Sequence, residues 1–172
     1  MLKALNCFQP AARSSLWRVW ACLPQGRGHH HLSLYSGRSG ENLHPKIFGG
    51  ILGRRDVADD AAQMQQYDIP AIDLVIVDLY PFEQTVASGA SEAEIIEKID
   101  IGGISLIRAG AKNFKDVVIV PSKAEYQPLL ELLQKQGAQT EIEQRRWFAT
   151  RAFGVSSHYD TAIHAYFEKT AR

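Results

Sequence analysis

Tyr80, Asp100 and Lys112 fall in the stretches "DLYPF", "IDIGG" and "RAGAKNF", where apolar runs give way to polar groups and glycines. "LHPKIFGG" is a fourth stretch of the same character. A phenol, a carboxylate and an ammonium are a set suited to polarising carbonyls and moving protons, and their spacing matches no metal-ligand pattern. Asp100 and the pair Gly102 and Gly103 precede a predicted helix over 104–111, whose first amides attract an anion or a carbonyl oxygen. Lys112 follows that helix closely. Each residue also fits a plain structural duty: Tyr80 as a strand-end aromatic, Asp100 as a helix cap, Lys112 as a charge favoured near a helix C-terminus, the glycines as a turn. His44, before Pro45, reads equally as a structural hydrogen-bonder or a catalyst, while His158 and His164 sit on a predicted helix where packing or solvent exposure accounts for them.

Strands separated by helices must position these groups, and at the carboxyl ends of such strands ligands bind. Ile72 to Leu79 is a nearly unbroken apolar run ended by Pro81, which predicts a strand buried on both faces of a parallel sheet, and Val117 to Val120 repeats it. Helix starts are predicted at Asp56 before Val57 to Tyr67, and at Ser91 with Glu94, Ser122 with Glu125 and Thr140 with Glu143, the last three at capping-box spacing. Pro128 falls near the first turn of a helix or kinks it, and Gly137 stops it. A long helix is expected from about Glu141 toward Phe167. The fold class is therefore α/β.

Net charge is zero, but its distribution is uneven. Residues 1–40 hold five Lys/Arg and no Asp/Glu, and the rest holds fourteen Lys/Arg and all nineteen Asp/Glu, so a head of +5 precedes a body of −5. Both cysteines, Cys7 and Cys22, lie in the head, which removes any disulfide or cysteine-metal framework from the body and fits a reducing, cytoplasmic setting. No apolar run reaches the ~18–20 residues of a membrane span. The Arg- and Ser-rich head has the composition of a mitochondrial presequence, and His29 to His31 lack a second cluster with which to close a metal site.

"NLHPKIFGGILGRRD", "IDLVIVDLYPFEQTVASG", "IEKIDIGGISLIRAGAKNFKDVVIV" and "AFGVSSHYDTAI", in that order, resemble the IMP cyclohydrolase domain of the bifunctional 5-aminoimidazole-4-carboxamide ribonucleotide (AICAR) formyltransferase/IMP cyclohydrolase family. The resemblance covers residues 43 to about 168. It implies a methylglyoxal-synthase-like layered fold and closure of the second purine ring: the carboxamide nitrogen of formylated AICAR ribonucleotide attacks the formyl carbon, water leaves, and IMP results. It implies no metal and no cofactor for this step, folate serving only the formyltransferase domain that in the family follows residue 172. The implied partners are the nucleotide precursor, IMP and a second copy in a homodimer, with no nucleic acid and no membrane. Tyr80, Asp100 and Lys112 match the family's catalytic tyrosine, aspartate and lysine, and Asp78, Ile101, Gly102 and Gly103 fall at its substrate-binding positions. Lys112 and Tyr80 would stabilise the oxyanion of the tetrahedral intermediate while Asp100 orients the amine or takes its proton.

The head departs from the pattern. Where the family carries "GRVKT" before "LHPK", with a lysine in the site, Glu41 stands in the lysine's place, and the upstream strand and Gly-rich "STGGT" phosphate loop are missing. Back-translation with synonymous freedom, read one nucleotide later over residues 26–42, gives VEDITTYPSILGGRVKT running into "LHPK", and a similar shift over residues 6–24 restores "STGGT". The head thus reads as the family's gene in the wrong frame. A partial fold is expected: residues 1–42 aberrant, residues 43–172 a cyclohydrolase domain lacking its first strand and phosphate loop, with an apolar sheet edge left bare. Such a chain is either a weakened enzyme or an inactive fragment that binds a nucleotide or a partner surface. Another methylglyoxal-synthase-like enzyme or ligand-sensing domain fits "DLYPF", "IDIGG" and "AKN" less well.

Overall fold

The computed structural model describes residues 19–22 and 43–171. Other positions, including Cys7, the three histidines and Glu41, lie outside the described residues. A three-stranded parallel sheet in the order β1-β2-β3 is formed by β1 (Val19–Cys22), β2 (Leu74–Val77) and β3 (Val118–Val120). Leu74, Val75 and Val77 of β2 and all of β3 are buried, as expected of strands covered on both faces, although β2 is shorter than its apolar run. The run ends where Asp78 turns to a side-chain partner.

The expected bare edge beside β2 is not found. Val19 pairs with Leu74 and Cys22 with Val77, so the head supplies a first strand. Physically, "VWAC" is a short, uncharged segment containing a β-branched and an aromatic residue, and an unpaired row of backbone groups on β2 is the template that such a segment satisfies.

Helices pack on this sheet. α1 (Pro45–Leu52) is entered through His44, whose Nδ1 accepts from the Lys46 amide at 3.1 Å, with proline in the first turn. Gly50 of α1 lies so close to the Pro70 carbonyl that a Cβ there would overlap it. α2 (Ala58–Gln66) starts at Val57 rather than Asp56, because Asp56 is drawn to Lys115 at 2.5 Å. Within the first turn of α2, Asp60 takes both arms of Arg54, whose hydrogen bond holds its carboxyl down to about 2. α3 (Phe82–Ala87) and α4 (Glu92–Ile96) follow, the latter opened by the predicted Ser91–Glu94 capping box.

α5 (Gly102–Lys112) places Leu106 and Ile107 in the core, and its Gly110 lets Ile119 approach to 3.1 Å from where a Cβ would sit. After β3, Ser122 caps a short turn and donates to Glu125 at 2.6 Å, and α6 (Tyr126–Gln136) runs on to Gly137, whose φ of +65° suits glycine. Pro128 is in the first turn of α6. α7 (Ile142–Thr170) is the predicted long helix, but Glu141 rather than Thr140 caps it, in reciprocal bonding with Gln144. Thr140 is occupied by Arg145, to whose guanidinium its carbonyl and hydroxyl both accept. A larger core joins α1, α5, α6 and α7 to the sheet, and a smaller one gathers Phe82, Ile95 and Tyr159.

Candidate active site

Parallel strands bring their carboxyl ends to one edge, and there β2 releases the chain into Asp78, Leu79 and Tyr80. Asp78 is buried and accepts from the Tyr126 hydroxyl at 2.7 Å. Burial, followed by that bond and the neighbouring carboxylate, holds the Tyr126 phenol well above its ordinary range. Asp78 is thereby spent on fixing α6 against the strand end.

Asp100 lies two residues before the start of α5 and is 5% exposed. Its Oδ1 accepts from the Gly103 amide at 2.6 Å, and the Tyr80 amide also bonds its carboxylate, so two of the predicted residues meet here. A Cβ on Gly103 would come within 2.6 Å of Oδ2, which is why that position is glycine. The helix terminus expected to receive a ligand is thus already capped by Asp100, while Gly102 is buried beside it and Ile101 is 56% exposed. Burial pushes the Asp100 carboxyl above the usual carboxylate range, against the opposing pull of the Gly103 and Tyr80 amides. A raised carboxyl sits nearer to the working pH of a proton acceptor.

Lys112 is not brought to this pair. It is the exposed last residue of the 11-residue helix that starts two residues after Asp100, and ten steps of ~1.5 Å separate the helix ends by ~15 Å. Its neighbour Asn113 donates to the carbonyl of Ile51 at 2.8 Å, which ties that end of α5 to the end of α1. A twelve-residue spacing across a predicted helix already carries this geometry. Among the described residues, the open cleft of about 550 Å³ lies at the opposite, amino edge of the sheet, lined by Arg55, Asp73, Lys115, Asp116 and Arg145 and by none of the predicted residues.

Two residues near Asp100 carry no local sequence signal. Tyr159 of α7 accepts from the Asp100 amide at 2.7 Å and donates to the Lys98 carbonyl at 2.9 Å, and burial pushes its phenol up to about 12. Lys98 places its Nζ 5.6 Å from the centre of the Tyr80 ring. His158, one residue before Tyr159, is exposed and pairs with Glu83 at 2.8 Å. Tyr159→Phe strands a buried amide and a carbonyl, so an equilibrium stability loss of about 1–3 kcal/mol is expected in urea unfolding. A loss below a few tenths would mean that water satisfies both groups.

Among the described residues no group of three or more His, Cys, Asp or Glu could hold a metal ion, and no helix is long and apolar enough to cross a membrane.

Residues 34–105 match the family model described as "MGS-like domain", and the small parallel sheet with its packed helices is consistent with that fold. A crystal structure titled "Crystal structure of ForH" superposes with a TM-score of 0.63 at 34% identity, covering 74% of this chain and 65% of that one. Residues 110–172 match the model "AICARFT/IMPCHase bienzyme". The chain is thus similar to one part of that bienzyme. It is 66% identical over 136 residues to "Bifunctional purine biosynthesis protein PurH" of Bacteroides thetaiotaomicron, covering 79% of this chain and 27% of that protein. The protein of the same name from Rhodospirillum rubrum is 47% identical over 128 residues, covering 74% and 24%. The chain spans about a quarter of the length of these relatives.

Proposed function

We propose that this domain closes the purine ring in the IMP cyclohydrolase reaction, taking formylated AICAR ribonucleotide to IMP with loss of water. The observation that carries this reading is the buried Asp100 carboxyl held between the amides of Tyr80 and Gly103, at the carboxyl edge of a parallel sheet. A carboxylate with a raised proton affinity takes the proton that the carboxamide nitrogen loses as it attacks the formyl carbon. In this reading Tyr80 donates toward the oxygen that becomes negative in the tetrahedral intermediate and later leaves as water. Asp78 and the 101–103 segment support the site by holding its walls. The reading calls on no metal or cofactor for this step, and a homodimer and a cytoplasmic setting belong to the same proposal.

The position of Lys112 favours a second reading, a domain that binds the nucleotide without turning it over. Purified chain is given the formylated ribonucleotide, and IMP is identified by absorbance and chromatography. Formation of IMP, lost in Asp100→Asn, is the expected result. IMP binding without formation selects the binding module, and neither binding nor formation overturns both.

A further inference from the structure

We propose that Tyr159 of α7 is a positioning residue for ring closure: its hydroxyl fixes the main chain at Asp100, so that the carboxylate meets the reacting nitrogen in one orientation. The inference rests on the reading above and adds a residue to it. Asp100 stands in the connection between α4 and α5, and its carboxylate is met by the amides of Gly103 and Tyr80. Its aim therefore depends on where the backbone of residues 98–100 is held. A misplacement of about 1 Å in a reacting group is enough to cost ~10²-fold in rate.

Tyr159 meets the requirement on three grounds. Its hydroxyl accepts from the Asp100 amide at 2.7 Å and donates to the Lys98 carbonyl at 2.9 Å, so one oxygen spans the two peptide groups that flank Ile99. A phenylalanine would fill the same space in the smaller core, and what the hydroxyl adds, at a desolvation cost, is these two bonds. Secondly, its ring meets Phe82 edge-on at 6.2 Å, and Phe82 follows Tyr80 by two residues. The side chain that holds the Asp100 amide is thus seated against the segment whose own amide bonds the carboxylate. Thirdly, one turn earlier on the same face of α7, the buried Ser156 accepts from Arg108 of α5 at 3.2 Å. Asp100 and the helix it caps are therefore tied to one face of one long helix.

The test is steady-state kinetics of ring closure by the full chain, comparing wild type with Tyr159→Phe, Asp100→Asn, the double variant and Phe148→Leu. Phe148 is a buried ring of the larger core three turns earlier on α7, so its truncation loosens the same helix away from Asp100. Circular dichroism checks that each variant is folded, and rates are read below every melting transition. Tyr159→Phe is expected to lower kcat ~10–100-fold with KM within ~3-fold, while Phe148→Leu loses thermal stability and keeps wild-type kcat. In the Asp100→Asn background, Tyr159→Phe is expected to cost less than ~3-fold, because a residue that acts through the carboxylate has nothing left to aim. Amide hydrogen exchange at Asp100 is expected to quicken in Tyr159→Phe and not in Phe148→Leu. Wild-type kcat in Tyr159→Phe, an equal loss in Phe148→Leu, the same fold-loss with and without the Asp100 carboxylate, or unchanged exchange at Asp100 overturns the assignment while leaving the cyclohydrolase reading standing. A wild-type chain that forms no IMP overturns that reading and the assignment together.

Discussion

Asp100→Asn is expected to cut ring closure by about 10²–10⁴-fold, the usual worth of a positioned proton acceptor, while leaving the fold intact. The amide oxygen can still accept from Gly103 as Oδ1 does at 2.6 Å, so the start of α5 keeps its cap. Its nitrogen, however, must face the Tyr80 amide or turn away, and it takes no proton. The same substitution changes stability in the opposite sense. Burial raises the carboxyl in the folded state above its ordinary value of 3.8, so folding binds a proton that the unfolded chain releases. The stability this contributes is fully present below pH 3.8 and is lost as pH rises through the folded value. Turnover follows the other limb, appearing as the carboxylate forms over that rise. Urea unfolding from pH 3 to 8, beside a pH–rate profile, checks both halves: the asparagine variant should lose the declining limb of stability and the rising limb of rate. Unchanged turnover in the variant would remove Asp100 from the chemistry.

Phe82→Ala carries the largest expected cost to the fold, about 3–5 kcal/mol. Phe82 is 2% exposed and lies in the smaller core with Ile95 and Tyr159. Its ring meets the Tyr159 ring edge-on at 6.2 Å and the Tyr166 ring at 5.9 Å, so one side chain fastens the start of α3 to two turns of α7. Truncation leaves a void that neither tyrosine can fill without giving up its own contacts. For a chain of this size, the melting temperature should fall by ~2–4 °C for each kcal/mol lost. The loss should also reach turnover, because Phe82 stands two residues from Tyr80 and its partner Tyr159 holds the Asp100 amide. A cost below ~1 kcal/mol would mean that the smaller core repacks around the gap.

Apolar runs and local caps were the legible part of this protein. β2 and β3 lie inside the predicted strands, Ser91 and Glu94 form the expected box, and α7 begins one residue from its predicted start, because these features depend on neighbours within about four positions. Features decided by distant partners were not legible. Asp56 leaves its helix for a lysine 59 residues away, and Tyr159 finds the Asp100 amide across the same separation. The pairing of head residues 19–22 with β2 is likewise a long-range event, open to any short apolar segment that can satisfy a waiting backbone edge. Within the candidate site, the structure brings Tyr80 and Asp100 together. Lys112 belongs to the same motif set and stands at the far end of α5.

The hydroxyl of Tyr159 has a consequence for how this polypeptide can be divided. Residues 34–105 and 110–172 match two separate family models, which suggests a seam near the middle of α5. The acid, its glycine cap and the strand-end phenol all lie on one side of that seam, yet the group that grips the acid's own amide comes from the other, as do the rings that enclose Phe82. The two segments are therefore a single mechanical unit, and exchanging either one between relatives would carry half of a clasp into a stranger's hands.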